Sequence, residues 1–351
     1  MKGNALLTHA MLALFLAACG EATPTPAGPR TLTMMTHDSF AVSEEVIAEF
    51  QAQHNATVQI LTSGDAVTVV SLAILNKDAP LADLVFGIDN TVLTRALEAD
   101  ILEVYASPLL AEIPAEFKLD EVHRVTPVDY GDVCLNYDKA YFNEHNLAIP
   151  DSLEDLATPE YANLLVVENP AASSPGLAFL LTTVGHFGQD GYLDFWSKLR
   201  ANGVKVVEDW ETAYYTEFSG SSGQGAYPLV VSYASSPPAE VIFAEETPEE
   251  APTGSVITPD TCFRQIEFVG ILRDTENRDL AEAWIDFMLS PTFQNNVPMQ
   301  MFMFPVNTRA ELPNEFIQHA KLASQPATVA PNDINTYREE WIEAWTETML
   351  R

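Results

Sequence analysis

Between Thr31 and Asp89 the chain alternates short apolar runs with helical ones, and that alternation restricts the fold more than any other feature. "TLTMMT" (Thr31–Thr36) reads as a strand and "SEEVIAEFQAQHN" (Ser43–Asn55) as a helix opened by a capping Ser and an acidic first turn. "TVQILT" (Thr57–Thr62) is a second strand, Val67–Asn76 a second helix, and "ADLVFGID" (Ala82–Asp89) a third, buried strand. In the first helix Val46, Ile47 and Phe50 fall on one face. A β-α-β-α-β succession predicts a parallel sheet with helices on both faces. Ligands of such sheets sit beyond the carboxyl ends of the strands. Three polar tips lie there: His37-Asp38-Ser39, Ser63-Gly64-Asp65 and Gly87-Ile88-Asp89-Asn90. The first holds the residue types of a hydrolase triad. Neighbours at a strand end point in different directions, however, so these three are not expected to form a base-orienting relay.

Further along, "LLVVENPAASSPGLAFLLTTVG" (Leu164–Gly185) is again strand, loop and helix, with Ser173 or Ser174 as cap and Pro175 in the first turn. Free N–H groups at such a start favour an anion or a polar oxygen. "GVKVVEDW" and "PLVVSYASSPP" add strand tips at Asp209-Trp210 and Ser232-Tyr233. Aromatic residues gather at these tips: Trp210, Tyr214, Tyr215, Tyr233, Tyr130, Phe302 and Phe304. With Asp38, Asp89 and Asp129 they suggest a cleft for a flat, cationic or amphipathic organic ligand, since ring faces attract cations. Asp279–Val297 reads as an amphipathic helix broken at Pro291. Asn335–Leu350 closes the chain as a helix whose Trp341 and Trp345 face the core.

With 17 basic residues against 50 acidic ones, the formal charge is −33. Nucleic acid and anionic lipid both need a basic footprint, so neither is an expected partner. The charge is spread along the chain, as on a solvated acidic surface. At the N-terminus Lys2 precedes a short apolar run ending "LAAC", Leu16 to Cys19. The run is too short to span a bilayer and reads as a signal peptide. Its end resembles the bacterial lipobox, which implies cleavage before Cys19, lipidation of that thiol and a Pro-rich tether to Arg30. Cys134 and Cys262 then remain; each sits in an apolar context typical of a buried free thiol, with one disulfide as the alternative. No His or Cys spacing matches a metal site, and no cofactor is expected.

The succession "THDSF", "ADLVFGIDN", "VDYGDVCLNYDK", "NPAASSPGL", "DWETAY", "VVSYASSP", "AEAWIDFMLSPTFQNNVP" and "MFPVN" resembles the thiamine-binding subunit of bacterial thiamine ABC transporters, colinearly over about residues 31–350. The resemblance implies an α/β, two-lobed periplasmic-binding-protein fold of type II, each lobe a sheet flanked by helices. The chain would cross between lobes near 124–132 and 255–264. Residues 1–18 would be signal peptide, 19–30 tether, 31–125 with 262–351 the first lobe, and 126–261 the second. The resemblance also implies capture of thiamine and its phosphate esters, by a monomer, for delivery to permease and ATPase subunits. By position it assigns Asp38 and Ser39 as polar contacts and Trp210 as the stacking ring, with Tyr214 after it. Ser232 and Tyr233 form the later tip, and Ser173 and Ser174 the phosphate or hydroxyethyl end. Asp65 and Asp89 complete the ligand-binding set with His37 and Phe302. His37 stands where the family tends to place a Tyr, Ala239 where a second aromatic is expected, and Phe302 where a Trp is expected. A Trp-bearing insert after the first strand is absent, so the aromatic cage is thinner than the family's.

Two other classes compete. A ferric-ion, small-cation or polyamine carrier of the same fold would use paired tyrosines. Tyr214-Tyr215 is adjacent, but an extended backbone would turn the pair to opposite faces. A thiamine-acting enzyme would need a nucleophilic Cys, and Cys134 has no obvious base beside it. No G-x-S-x-G, H-E-x-x-H or P-loop is present, and no enzyme is expected.

Overall fold

The computed structural model describes residues 28–220, 225–244, 246 and 248–351. Cys19, the signal peptide and most of the tether lie outside the described residues. Ten strands are found among the described residues: β1 (Arg30–Thr36), β2 (Ala56–Thr62), β3 (Leu84–Asp89), β4 (Thr126–Asp138), β5 (Leu165–Glu168), β6 (Lys205–Val207), β7 (Leu229–Tyr233), β8 (Thr253–Val256), β9 (Phe263–Ile271) and β10 (Phe304–Pro305). Their order is β2-β1-β3-β9-β4-β7-β5-β6, with β8 and β10 paired to β4.

Two parallel groups flank an antiparallel centre. β1 pairs in parallel with β2 and β3, and β5 with β6 and β7, while β9 and β4 run antiparallel to each other and to their outer neighbours. The expected β-α-β-α-β run is present, with helices Glu44–His54 and Ala66–Leu75 between its strands. Ser43 precedes the first helix, and Asn55 ends it in the left-handed conformation at φ 47°, which Asn tolerates. Helix Arg278–Leu289 stops at Ser290, and Pro291 starts a separate short helix.

One apolar cluster packs around Phe50, Phe86, Trp284 and Phe293 beside β1 and β3. A larger one runs along β4, β5 and β7 to the C-terminal helix Pro331–Leu350. Trp341 and Trp345 are buried there as their spacing predicted, and Trp345 meets Trp196 of helix Tyr192–Ala201 edge-on at 5.5 Å. Asn335 of the same helix donates to Glu98 at 2.9 Å, so this final helix touches both flanks of the sheet.

The two thiols are not free. Cys134 and Cys262 form a disulfide, with Cα atoms 4.4 Å apart. The pairing Val133↔Phe263 of β4 and β9 sets the next residues opposite each other, at the close Cα separation of a non-hydrogen-bonded antiparallel pair. Apolar surroundings, which suggested two buried thiols, suit a buried cross-strand disulfide equally well; 128 residues of separation hid the pairing.

Candidate ligand-binding site

A cavity of about 510 Å³ opens where the carboxyl ends of the parallel strands face one another. Nine of the twelve ligand-binding residues expected from sequence line it. His37, Asp38 and Ser39 come from the end of β1, Asp65 from the start of helix Ala66–Leu75, and Ser174 from helix Ser174–Phe187. Trp210, Tyr214, Tyr233 and Phe302 supply the rings. The other three stand one layer behind. Asp89 is buried under Ser174 and accepts from Thr91 N–H (2.7 Å) and Gln265 Nε2 (2.9 Å). Ser173 is buried as the cap of the helix. Ser232 is buried and accepts a 3.0 Å bond from Trp210 Nε1, which fixes the indole plane.

His37, Asp38 and Ser39 form no relay. Asp38 Oδ1 accepts from Gly64 N–H at 2.9 Å, while the His37 Nε2 atom lies 3.1 Å from Glu267 Oε1. Gly87, at φ +89°, makes room for this: a Cβ there would stand 2.4 Å from His37 Cδ2. Glu267 was missed by sequence reasoning. A Glu within the apolar run of β9, "FRQIEFVGI", was the available signal.

Electrostatics at the base are dominated by buried acids. Burial works against a charged His37, but the charge and contact of Glu267, with Asp65 and Asp89 behind it, raise its pKa. Burial likewise opposes ionisation of Glu267, yet His37 and a hydrogen bond from Asp129 hold its carboxyl below the usual range. Asp129, buried beside that charge, is pushed well above its ordinary value and carries the proton between the two. Asp129 therefore supports the site from below and does not line it, contrary to expectation. Loss of hydration at the cavity wall pushes Asp65 up to about 6, against the N–H bond it accepts from Ser174.

The rings form a shelf on the opposite wall. Trp210 and Tyr214 stack with centroids 5.3 Å apart, and Tyr215 meets the indole edge-on at 5.4 Å. An extended segment would have separated the two tyrosines. Thr212–Glu217 instead forms a π-helical turn, which brings both against Trp210. The Tyr214 hydroxyl is bonded to Glu240, on which burial and that contact both act. Tyr130 and Phe304 lie elsewhere: Tyr130 packs 4.4 Å from Phe117 and 5.6 Å from Phe304, outside the cavity. Phe302 reaches the mouth with a left-handed backbone at φ 55° and meets Phe243 edge-on at 5.6 Å. Ala239 also lines the wall, so that wall carries no ring at this place. Among the described residues, no group of three or more His, Cys, Asp or Glu side chains is arranged to hold a metal ion.

Residues 79–324 match the family model described as bacterial extracellular solute-binding protein. A thiamine-binding periplasmic protein of Salmonella typhimurium is 30% identical over 331 residues, covering 91% of this chain and 94% of that one. Its counterpart from Brucella suis is 27% identical over 358 residues, with both chains fully covered. Among solved structures, a periplasmic thiamin binding protein superposes with a TM-score of 0.81 at 25% identity, over 93% of this chain and all of that one. A ferric binding protein from Campylobacter jejuni shares the fold alone, with a TM-score of 0.72 at 17% identity over 90% of this chain and 99% of that one. The architecture is the α/β type II periplasmic-binding-protein fold, in which β9 and β4 join the flanking strands into one hydrogen-bonded order. The chain belongs to the bacterial extracellular solute-binding proteins, a family of transport components and not of enzymes.

Proposed function

We propose that this protein captures thiamine outside the cytoplasmic membrane and delivers it to the permease of an ABC importer. The observation that carries this reading is a single cavity with a flat aromatic shelf on one wall and carboxylates on the other. A thiazolium ring is flat and permanently cationic, so Trp210, Tyr214 and Tyr233 offer it ring faces and edges. Asp38 and Asp65 balance its charge, while the Glu267 carboxylate is already paired with His37. The names of the relatives support the same ligand. We further propose that Cys19 carries the lipid anchor. In this reading residues 31–125 with 262–351 and residues 126–261 act as two lobes that close on the ligand.

Calorimetric titration of the protein lacking residues 1–27 with thiamine is the test. Absence of both heat and thermal stabilisation at millimolar ligand would defeat the proposal. In the same assay Trp210→Ala is expected to weaken binding by about 1–3 kcal/mol, the scale of a stacking and cation–π contact. An unchanged affinity would remove Trp210 from the ligand.

Asp65 makes binding pH-dependent. A fixed positive charge beside it favours the carboxylate, so binding near pH 6 releases up to about half a proton per ligand. With the free-state value at about 6, affinity is expected to rise about fourfold between pH 5.5 and 7.5. Titration at pH 6 in two buffers of different ionisation enthalpy measures the release directly. Equal heats in both would show that Asp65 does not respond to the ligand.

A further inference from the structure

Two rings meet at the mouth of the cavity, and only one of them lines it. Phe302 reaches the wall from the segment between helix Val297–Gln300 and β10, with a left-handed backbone at φ 55°. A bulky residue adopts that conformation only where its surroundings hold it there. Phe243 is the ring it meets, with centroids 5.6 Å apart and planes at 71°. Phe243 follows helix Pro237–Ile242 and is 71% exposed. So exposed a ring adds little to the stability of the fold, since few of its carbons leave water.

The helix before Phe243 belongs to the site. Ala239 lines the cavity, and the Phe243 N–H bonds its carbonyl at 2.9 Å. A residue four positions on lies over the same face, about 6 Å further along the axis. Phe243 thus stands one turn beyond the place where the wall carries no ring. The helix is also tied to the aromatic shelf: the Ser236 hydroxyl lies 3.0 Å from that of Ser232, and Glu240 meets the Tyr214 hydroxyl. Ser232 in turn accepts the Trp210 indole N–H at 3.0 Å. One short helix therefore links the stacking ring, at its start, to the ring at the mouth, at its end.

Resting on the two-lobe thiamine reading above, we propose that Phe243 is a positioning residue for the ligand: it holds the Phe302 ring across the mouth and slows escape of the bound cation. In that reading Phe243 belongs to the stretch 126–261 and Phe302 to 262–351, so the pair is made when the cleft closes and parted when it opens. Edge-to-face rings attract each other beyond their burial, so the contact favours the closed arrangement. Its effect falls on release more than on capture.

Thiamine itself is the probe. Phe243→Ala is expected to weaken its binding about three- to tenfold, the scale of one aromatic pair, chiefly through faster release in stopped-flow measurements. The Tm of the ligand-free variant should stay within about 2 °C of the wild type, because the ring is exposed. Phe243→Tyr, which keeps the ring, should bind within about twofold of the wild type, and Phe243→Leu should behave like the Ala variant. In a Phe302→Ala background, Phe243→Ala should add less than about twofold, since its partner is gone. Unchanged affinity in Phe243→Ala would overturn the inference. So would its full effect persisting without Phe302, or a larger fall in the Tm of the ligand-free variant, which would assign Phe243 to the fold. A wild-type protein that binds no thiamine would instead remove the thiamine reading, and the positioning role with it.

Discussion

Opening the Cys134–Cys262 disulfide is expected to lower the unfolding free energy by about 2–5 kcal/mol. The bond closes a loop of 128 residues, and a cross-link of that span restricts the unfolded chain strongly. For a chain of this size, such a loss corresponds to a fall in Tm of roughly 3–7 °C. Both sulfurs are buried beside Ala234 and Ala323, so reduction in denaturant followed by refolding without oxidant is the cleaner experiment. It keeps both side chains and removes only the bond. Cys134→Ala with Cys262→Ala removes packing as well, and should cost more than reduction alone. Urea midpoints that coincide for oxidised and reduced protein would show that the paired strands β4 and β9 need no covalent tie. The bond also disposes of an enzymatic role for Cys134, whose sulfur is not available as a nucleophile. It suits a protein that works in an oxidising compartment.

The parallel flank was legible because its signals are local. Each strand and helix from Arg30 to Asp89 carries its own periodicity and caps, and parallel order follows from connections that are too long for hairpins. The antiparallel centre was less so. β4 and β9 are separated by more than a hundred residues, and nothing in either segment names the other as partner; their register also decides the disulfide. At the cavity, strand tips pointed to its rim but not to the depth of each side chain. Asp89, Ser173 and Ser232 occur at tips, yet their side chains turn inward and hold the residues that line the cavity. Tyr215 was set aside on the premise of an extended backbone, and the π-helical turn reverses that. Glu267 carried a readable anomaly, an acid in an apolar strand, but its partner His37 lies 230 residues away in sequence, at the end of β1.

That pair yields the second large effect. Glu267→Gln is expected to cost about 3 kcal/mol of stability near pH 6, because it leaves a buried His37 without its counter-charge. The cost depends on pH in a direction fixed by the shifts. His37, raised above 6.5, contributes stability that is fully present below 6.5 and is lost as pH rises through its folded value. Glu267, held below 4.5, contributes stability that is present above 4.5 and is lost as pH falls through its folded value. The pair therefore stabilises the fold between these limits, and the penalty of Glu267→Gln should shrink as pH rises through the folded-state pKa of His37. Gln retains the shape and can still bond Asp129, so packing loss does not imitate the effect. Urea unfolding at pH 6 and pH 9 reads the difference, and the His37 imidazole resonance should titrate at lower pH in the variant. A penalty of the same size at both pH values would mean that Glu267 acts through packing and hydrogen bonding to Asp129. In that case His37 would meet an incoming cation as a neutral ring, with no charge of its own held in place by β9.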